Sequence, residues 1–108
     1  GYLTQEELNE VKTISLGGEY SAPHTYTSLK GIEYFTKLLH LYCGNGTITT
    51  LNVSQNTELL TLDCKYNNLT SLDVSALDKL ETLRLQHNYS LTSLDVSSCD
   101  SLKGLDVD

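Results

Sequence analysis

The chain is expected to fold as an α/β solenoid, mostly β, in which coils of about 22 residues or one fewer each add one short strand to a parallel sheet. Three features of the sequence predict this. Aliphatic anchors recur at a fixed period, the residues between them alternate with period two, and asparagine returns at one place in the unit.

The period is read directly. The segment from Leu59 runs LLTLDCKYNNLTSLDVSALDK and that from Leu80 runs LETLRLQHNYSLTSLDVSSCDS. Leu59, Leu62, Cys64, Asn67, Leu69, Leu72 and Val74 superimpose on Leu80, Leu83, Leu85, Asn88, Leu91, Leu94 and Val96. The preceding unit supplies Leu38, Leu41, Cys43, Gly46, Ile48, Leu51 and Val53 at the same places. Units start at positions 38, 59, 80 and 102, so the first two steps are equal and the last carries one extra residue, which falls between Asn88 and Leu91. An insertion there belongs in a turn, because a strand would lose its register.

The expected division is a single domain over 1–108 with an N-terminal cap at 1–10. A first repeat covers 11–37 with an inserted loop at 17–27, full repeats cover 38–58, 59–79 and 80–101, and a partial last repeat covers 102–108. The inserted GGEYSAPHTYT holds the only proline and reads as a protruding loop.

Within a unit, the second and third anchors of L-x-x-L-x-[LC] alternate inward with outward neighbours, as a short strand requires. Leu41, Leu62, Leu83 and Leu105 should then form one internal column. Asn67 and Asn88 are placed to bond backbone groups of the turn that leaves the strand. The LTSLDVS stretch returns the chain on the far side as extended or single-turn structure, too short for a good helix. One coil alone would not fold, since burying about five aliphatic side chains is largely offset by the entropy of ordering its backbone.

A solenoid exposes core at both ends unless they are covered. Thr4 followed by Glu7 is a capping-box pattern, with Leu3, Leu8 and Val11 on one face, so a cap helix is expected from Thr4 to about Glu10. No comparable cover follows Val107, so the last strand edge is open, or paired in a homodimer, or covered by sequence beyond these residues.

Composition narrows the function. The 108 residues are 39% hydrophobic, with apolar runs too short to cross a bilayer. Seven Lys and Arg against 14 Asp and Glu give a net charge of −7, which repels phosphate backbones and anionic membranes, so neither nucleic acid nor membrane insertion is expected. Gly1 in place of Met suggests that an export signal has been trimmed away. Cys43, Cys64 and Cys99 match no zinc spacing; the first two read as small inward hydrophobes with inert thiols, and Cys99, outside the strand positions, as the one exposed thiol. His24, His40 and His87 lie at no metal-ligand spacing from one another or from a cysteine. No catalytic constellation, metal site or cofactor is expected. Sequons at Asn45, Asn52, Asn68 and Asn88 read as by-products of a repeat rich in Asn, Ser and Thr.

The blocks SLKGIEYFTKLLHLYC (28–43) and LTSLDVS (69–75 and 91–97) resemble a leucine-rich-repeat group abundant in gut Bacteroidetes, with the repeat L-x-x-L-x-C-x-x-N-x-L-T-x-L-D-V-S. That group is internalin-like in style, and the opening LTQEELNEVKTISL resembles the segment preceding its first repeat. The resemblance implies a leucine-rich-repeat right-handed superhelix, export to the cell surface or periplasm, and a protein partner. The chain departs from the pattern in the 17–27 insertion, in Gly46 where asparagine is expected, and in its small number of repeats.

In this register the outward positions of one sheet face are Thr13, Ser15, His40, Tyr42, Thr61, Asp63, Thr82, Arg84, Gly104 and Asp106, continued by Lys65, Tyr66, Gln86 and His87. This face varies, whereas Ser71, Asp73, Ser93 and Asp95 opposite simply repeat. Variation on one side of a repeated scaffold fits a binding surface, and Tyr, Arg and His are interface-anchoring types. The candidate partner-binding residues are His40, Tyr42, Asp63, Lys65, Tyr66, Arg84, Gln86 and His87, with Tyr20, His24 and Tyr26 of the inserted loop as a second candidate. A solvated face where any hydrophilic residue would serve is the plain alternative. The expected function is non-catalytic protein binding, a protein partner being favoured over a glycan. The rival is a structural spacer or self-assembly module acting through the uncapped C-terminal edge.

Overall fold

The computed structural model describes residues 3–16 and 28–107. Among them, five strands form one parallel sheet in chain order: β1 (Thr13–Leu16), β2 (His40–Cys43), β3 (Thr61–Asp63), β4 (Thr82–Arg84) and β5 (Gly104–Asp106). Ile14 pairs with Leu41, Leu41 with Leu62, Leu62 with Leu83 and Leu83 with Leu105. The two central steps are equal, the last is longer by the single inserted residue and the first by the inserted loop, so the sequence period is the physical period of the stack. No helix among the described residues is long and apolar enough to cross a membrane.

Alternation puts the anchors inside. In β2, Leu41 and Cys43 are buried while His40 and Tyr42 are half-buried. Leu38, Leu59 and Leu80 make a second buried column, and Ile48 with Leu69 begins a third. Burial fades toward the ends of the stack. Along the column that follows the strand midpoint, Leu16 is 36% exposed, Cys43 and Cys64 are fully buried, Leu85 is nearly so, and Val107 is 53% exposed. Leu105, expected as an internal residue, is 42% exposed for the same reason: among the described residues nothing lies on its outer side.

Two asparagines tie the coils together. Asn67 Nδ2 donates to the Cys43 carbonyl one coil earlier (2.9 Å) and to its own coil's Cys64 carbonyl (3.1 Å), while its Oδ1 accepts from Ile48 N (3.0 Å). Asn88 repeats the pattern one coil on, bonding the Cys64 and Leu85 carbonyls and accepting from Leu69 N. Each carboxamide thus satisfies backbone groups that the sharp turn after a strand removes from the ladder. Asn88, buried and fully engaged in this way, has no side-chain nitrogen left for a glycan. Gly46 occupies the corresponding place in the coil before Asn67.

The return side closes each coil with a tight turn. Phe35, Asn56, Leu77 and Cys99 donate their backbone N–H to Ile32, Val53, Val74 and Val96 three residues earlier. The first of these turns is a short 3-10 segment, Ile32–Tyr34. Cys99 occupies the inward place of this turn and is buried, its Sγ facing the Val74 carbonyl at 3.6 Å, so it is not the exposed thiol expected from its distance to the strands. Asn56 takes the same place, donating to the Ile32 and Phe35 carbonyls while its buried Oδ1 finds no partner among the described residues. Just before, Asn52, Asp73 and Asp95 use Oδ1 to accept from the backbone N–H of Ser54, Ser75 and Ser97 at 2.9–3.0 Å.

The cap helix α1 spans Gln5–Asn9 and carries the complete capping box: Glu7 N donates to Thr4 Oγ1 (3.1 Å) and Thr4 N to Glu7 Oε1 (2.9 Å). It buries none of its own residues. Val11 packs against the core, but Leu3 is 63% exposed and does not share the inward face expected for it.

Replacing Asn67 with alanine strips partners from four backbone groups around the turn, the Ile48 N–H and the Cys43, Cys64 and Lys65 carbonyls. Urea unfolding should show a loss of roughly 2–4 kcal/mol, against under about 0.5 kcal/mol for alanine at the exposed Ser71. Equal midpoints for the two variants would show that the ladder does not hold the coils.

Acid should loosen the return side. The hydroxyl of Ser75 and then its backbone N–H hold the Asp73 carboxyl below the usual aspartate value, and Ser97 does the same for Asp95. A depressed native pKa stabilises the fold above the unfolded value and loses that contribution as pH falls through the native one. The double variant Asp73→Asn, Asp95→Asn keeps the acceptor that Asn52 already provides. Its melting temperature should therefore fall less than that of the parent between about pH 5 and about pH 3, and an unchanged slope would remove these two turns from the account.

Candidate functional site

Parallel pairing lines up Tyr42, Asp63, Arg84 and Asp106 across β2, β3, β4 and β5, because the residue after each central leucine points to the open face. The row is ionically linked. Asp63 Oδ2 lies 3.8 Å from Lys65 Nζ and 4.0 Å from Arg84 Nη1, and Arg84 Nε lies 3.7 Å from Asp106 Oδ2. Pairs this long add little stability at a surface. Their effect is on placement: Arg84 is held between two carboxylates. Asp63 also accepts from Lys65 N at 3.2 Å and is buried under its neighbours, which makes it a positioning residue beneath the surface it was expected to form.

The parallel row two residues earlier, on the same face, is quieter. His40 Nδ1 bonds Thr61 Oγ1 across to β3 at 3.0 Å, and the His40 ring lies nearly parallel to that of Tyr42, with centroids 6.4 Å apart. Two rings on the same side of one strand thus form a half-buried aromatic edge beside the charged row.

Beyond the strands the chain turns through one left-handed residue per coil: Asn45 (φ 60°), Tyr66 (φ 58°) and His87 (φ 62°). Asparagine accepts this conformation readily, whereas a bulky side chain is strained by about 1–2 kcal/mol. Tyr66 and His87 occupy it nonetheless, and their rings stack at 4.2 Å with planes 16° apart. Tyr89 adds an edge-on contact to His87, with centroids 5.6 Å apart, and its hydroxyl bonds His87 Nδ1. Aromatic pairs are worth roughly 0.5–1.5 kcal/mol beyond area burial, comparable to the strain, so the cluster offsets what the backbone costs without making these residues a stability device.

The eight candidates therefore fall into two connected groups. His40, Tyr42, Asp63 and Arg84 stand on β2, β3 and β4, and Lys65, Tyr66, Gln86 and His87 stand just past the strand ends. Gln86 is half-buried with its Oε1 unpartnered. Gly44, at the place of Lys65 and Gln86 one coil earlier, is closely packed, since a Cβ there would meet the Lys65 carbonyl at 3.0 Å. Tyr20, His24 and Tyr26 of the inserted loop lie outside the described residues. Tyr89, 82% exposed, was not among the candidates. Its signal was the single extra residue between Asn88 and Leu91, the one place where a full coil lengthens.

Nucleophilic chemistry finds little purchase here. The hydrogen bond that the Cys64 thiol shares with the Cys43 sulfur, 3.2 Å away, and complete burial push Cys64 well above its usual range, and burial raises Cys99. A thiol so placed is protonated and out of reach. Among the described residues, no three His, Cys, Asp or Glu side chains gather where a metal ion could sit.

Among solved structures, the functional domain of InlJ from Listeria monocytogenes, described as including a cysteine ladder, superimposes with a TM-score of 0.82 and 31% identity over 97% of this chain. An internalin, InlF, from Listeria monocytogenes gives a TM-score of 0.65 and 27% identity over 97% of this chain. The chain spans 22% of the length of the first and 37% of the second. No family model matches the chain, and no curated protein matches it. The fold is that of an internalin-like leucine-rich-repeat solenoid, in which Cys43 and Cys64 take equivalent inward places in adjacent coils with their sulfurs 3.2 Å apart.

Proposed function

We propose that this internalin-like solenoid is a non-catalytic protein-binding module that engages its partner through the open face of the sheet. The observation that carries the reading is the row Tyr42, Asp63, Arg84, Asp106. It is varied in chemistry, has Asp63, Arg84 and Asp106 linked by ion pairs, and is flanked by the His40 edge and the Tyr66 and His87 rim. Preset side chains lose little entropy on binding, and Tyr and Arg are the types that dominate interface energetics. On the return side, Asp73 and Asp95 have their carboxylates already engaged by their own turns. Export to a bacterial surface or periplasm accords with the internalin likeness, and cell fractionation with an antibody to the chain would test it.

A display library of random twelve-residue peptides, selected on the immobilised chain, tests the face. Enriched binders should lose about hundredfold or more in affinity for the triple variant His40→Ala, Tyr42→Ala, Arg84→Ala, with an unchanged circular dichroism spectrum. Binders that hold the variant as tightly as the parent would move the site elsewhere.

A second reading rests on the C-terminal end. Leu85, Leu91, Leu94, Val96, Leu105 and Val107 line an open groove of about 310 Å³ there, and β5 has no further partner strand among the described residues. In that reading two copies join edge to edge and the chain is an assembly element. Sedimentation velocity over a hundredfold concentration range should then show a dimer that Leu105→Lys, Val107→Lys abolishes; a monomer throughout would dismiss it.

A further inference from the structure

Three departures from the repeat converge on one point at the rim of the sheet. Tyr66 occupies a left-handed position that strains a bulky side chain, His87 takes the equivalent position one coil on, and Tyr89 sits in the only insertion within a full coil. Their rings form one cluster, with Tyr66 stacked on His87 and Tyr89 set against its edge. Tyr66 is half-exposed and Tyr89 almost fully so. A solenoid needs none of the three for its core, and strain retained at an exposed cluster is a mark of function.

We propose that Tyr66, His87 and Tyr89 form an exposed aromatic surface that takes an arginine side chain of the protein partner, a proposal that rests on the protein-binding reading above. A guanidinium is planar, so it can lie flat on a tyrosine ring, and its charge is attracted by the negative π face. The net charge of −7 draws a basic segment toward the chain as a whole. The two cations near the cluster do not oppose it freely, because Lys65 is paired with Asp63 and Arg84 lies between Asp63 and Asp106. Gln86, next in sequence to His87, has a buried Oε1 with no hydrogen-bond partner among the described residues, so turning it toward a guanidinium N–H gains a bond and breaks none seen at that oxygen. An ammonium has no flat face to stack, and an acidic side chain would be repelled by both the rings and the overall charge.

The test is an NMR titration of the whole chain with the tripeptide acetyl-Gly-Arg-Gly-amide and with its citrulline counterpart, which keeps the planar shape and removes the charge. The arginine peptide should shift the resonances of Tyr66, Gln86, His87 and Tyr89 with weak, saturable binding. The citrulline peptide should bind at least about threefold more weakly, and Tyr89→Ala, a change at an exposed insertion that leaves the fold intact, should weaken the arginine peptide by a similar factor. Equal binding of the two peptides, shifts confined to other residues, or a neutral oligosaccharide such as chitotriose shifting these residues when the arginine peptide does not, would overturn the proposal. The library binders separate its failure from failure of the sheet-face reading. Binders that depend on His40, Tyr42 and Arg84 yet keep full affinity for a Tyr66→Ala, Tyr89→Ala variant remove the arginine site and leave the face standing. Binders lost in the rim variant but indifferent to the sheet-face variant do the reverse.

Discussion

The stack depends on a carboxamide that belongs to two coils at once. A coil this short has to leave its strand through a sharp turn, and a sharp turn takes backbone donors and acceptors out of the sheet where water cannot reach them. Asn67 and Asn88 supply the missing partners, and because each reaches back to a carbonyl one coil earlier, satisfying the turn and joining the coils are a single event. Apolar columns alone would press the coils together with little preference for rotation or shift. The amides add direction to that pressure, and the strand register follows from both.

From this arrangement comes a molecule whose cohesion is one-dimensional. Each coil touches only the coils before and after it, so Leu62 and Leu83 are sealed from both sides while Leu105 and Val107 are sealed from one. Local opening should begin at such half-covered coils and move inward. The side chains best placed for recognition stand in the well-ordered middle: Tyr42, Arg84, Tyr66 and His87 all ride on β2, β3 or β4 or on the turns that leave β3 and β4. A binding face gains rigidity from the part of the stack that holds together best.

Much of this was legible in the sequence, because period and alternation are themselves the geometry. Leu41, Leu62 and Leu83 fall into one column by counting, and so do the two ladder asparagines and the capping box of Thr4 and Glu7. Where counting failed, the cause was an environment that no position number carries. Cys99 looked remote because it is distant from any strand, yet the turn it occupies closes inward. Asp63 was legible as outward but not as covered, since its burial depends on Lys65 and Arg84 from two different coils folding over it. Leu105 obeys the pattern perfectly and is exposed all the same, for a column says nothing about where it stops. Tyr89 is invisible to a repeat alignment because insertions have no equivalent to be compared with.

Asn56 bears on folding itself. Near-identical coils invite mispairing: a strand that docks one coil too far still meets leucines, so the wrong stack is nearly as comfortable as the right one. The amide of Asn56 breaks that degeneracy, for it is the one inward amide among the described closing turns and it matches the carbonyls of Ile32 and Phe35. A chain slipped by one coil would set Leu77 against those carbonyls and strand the amide in hydrocarbon. The orphaned Oδ1 is thus a standing thermodynamic tax on the correct arrangement, and what it secures is that the coils can be told apart.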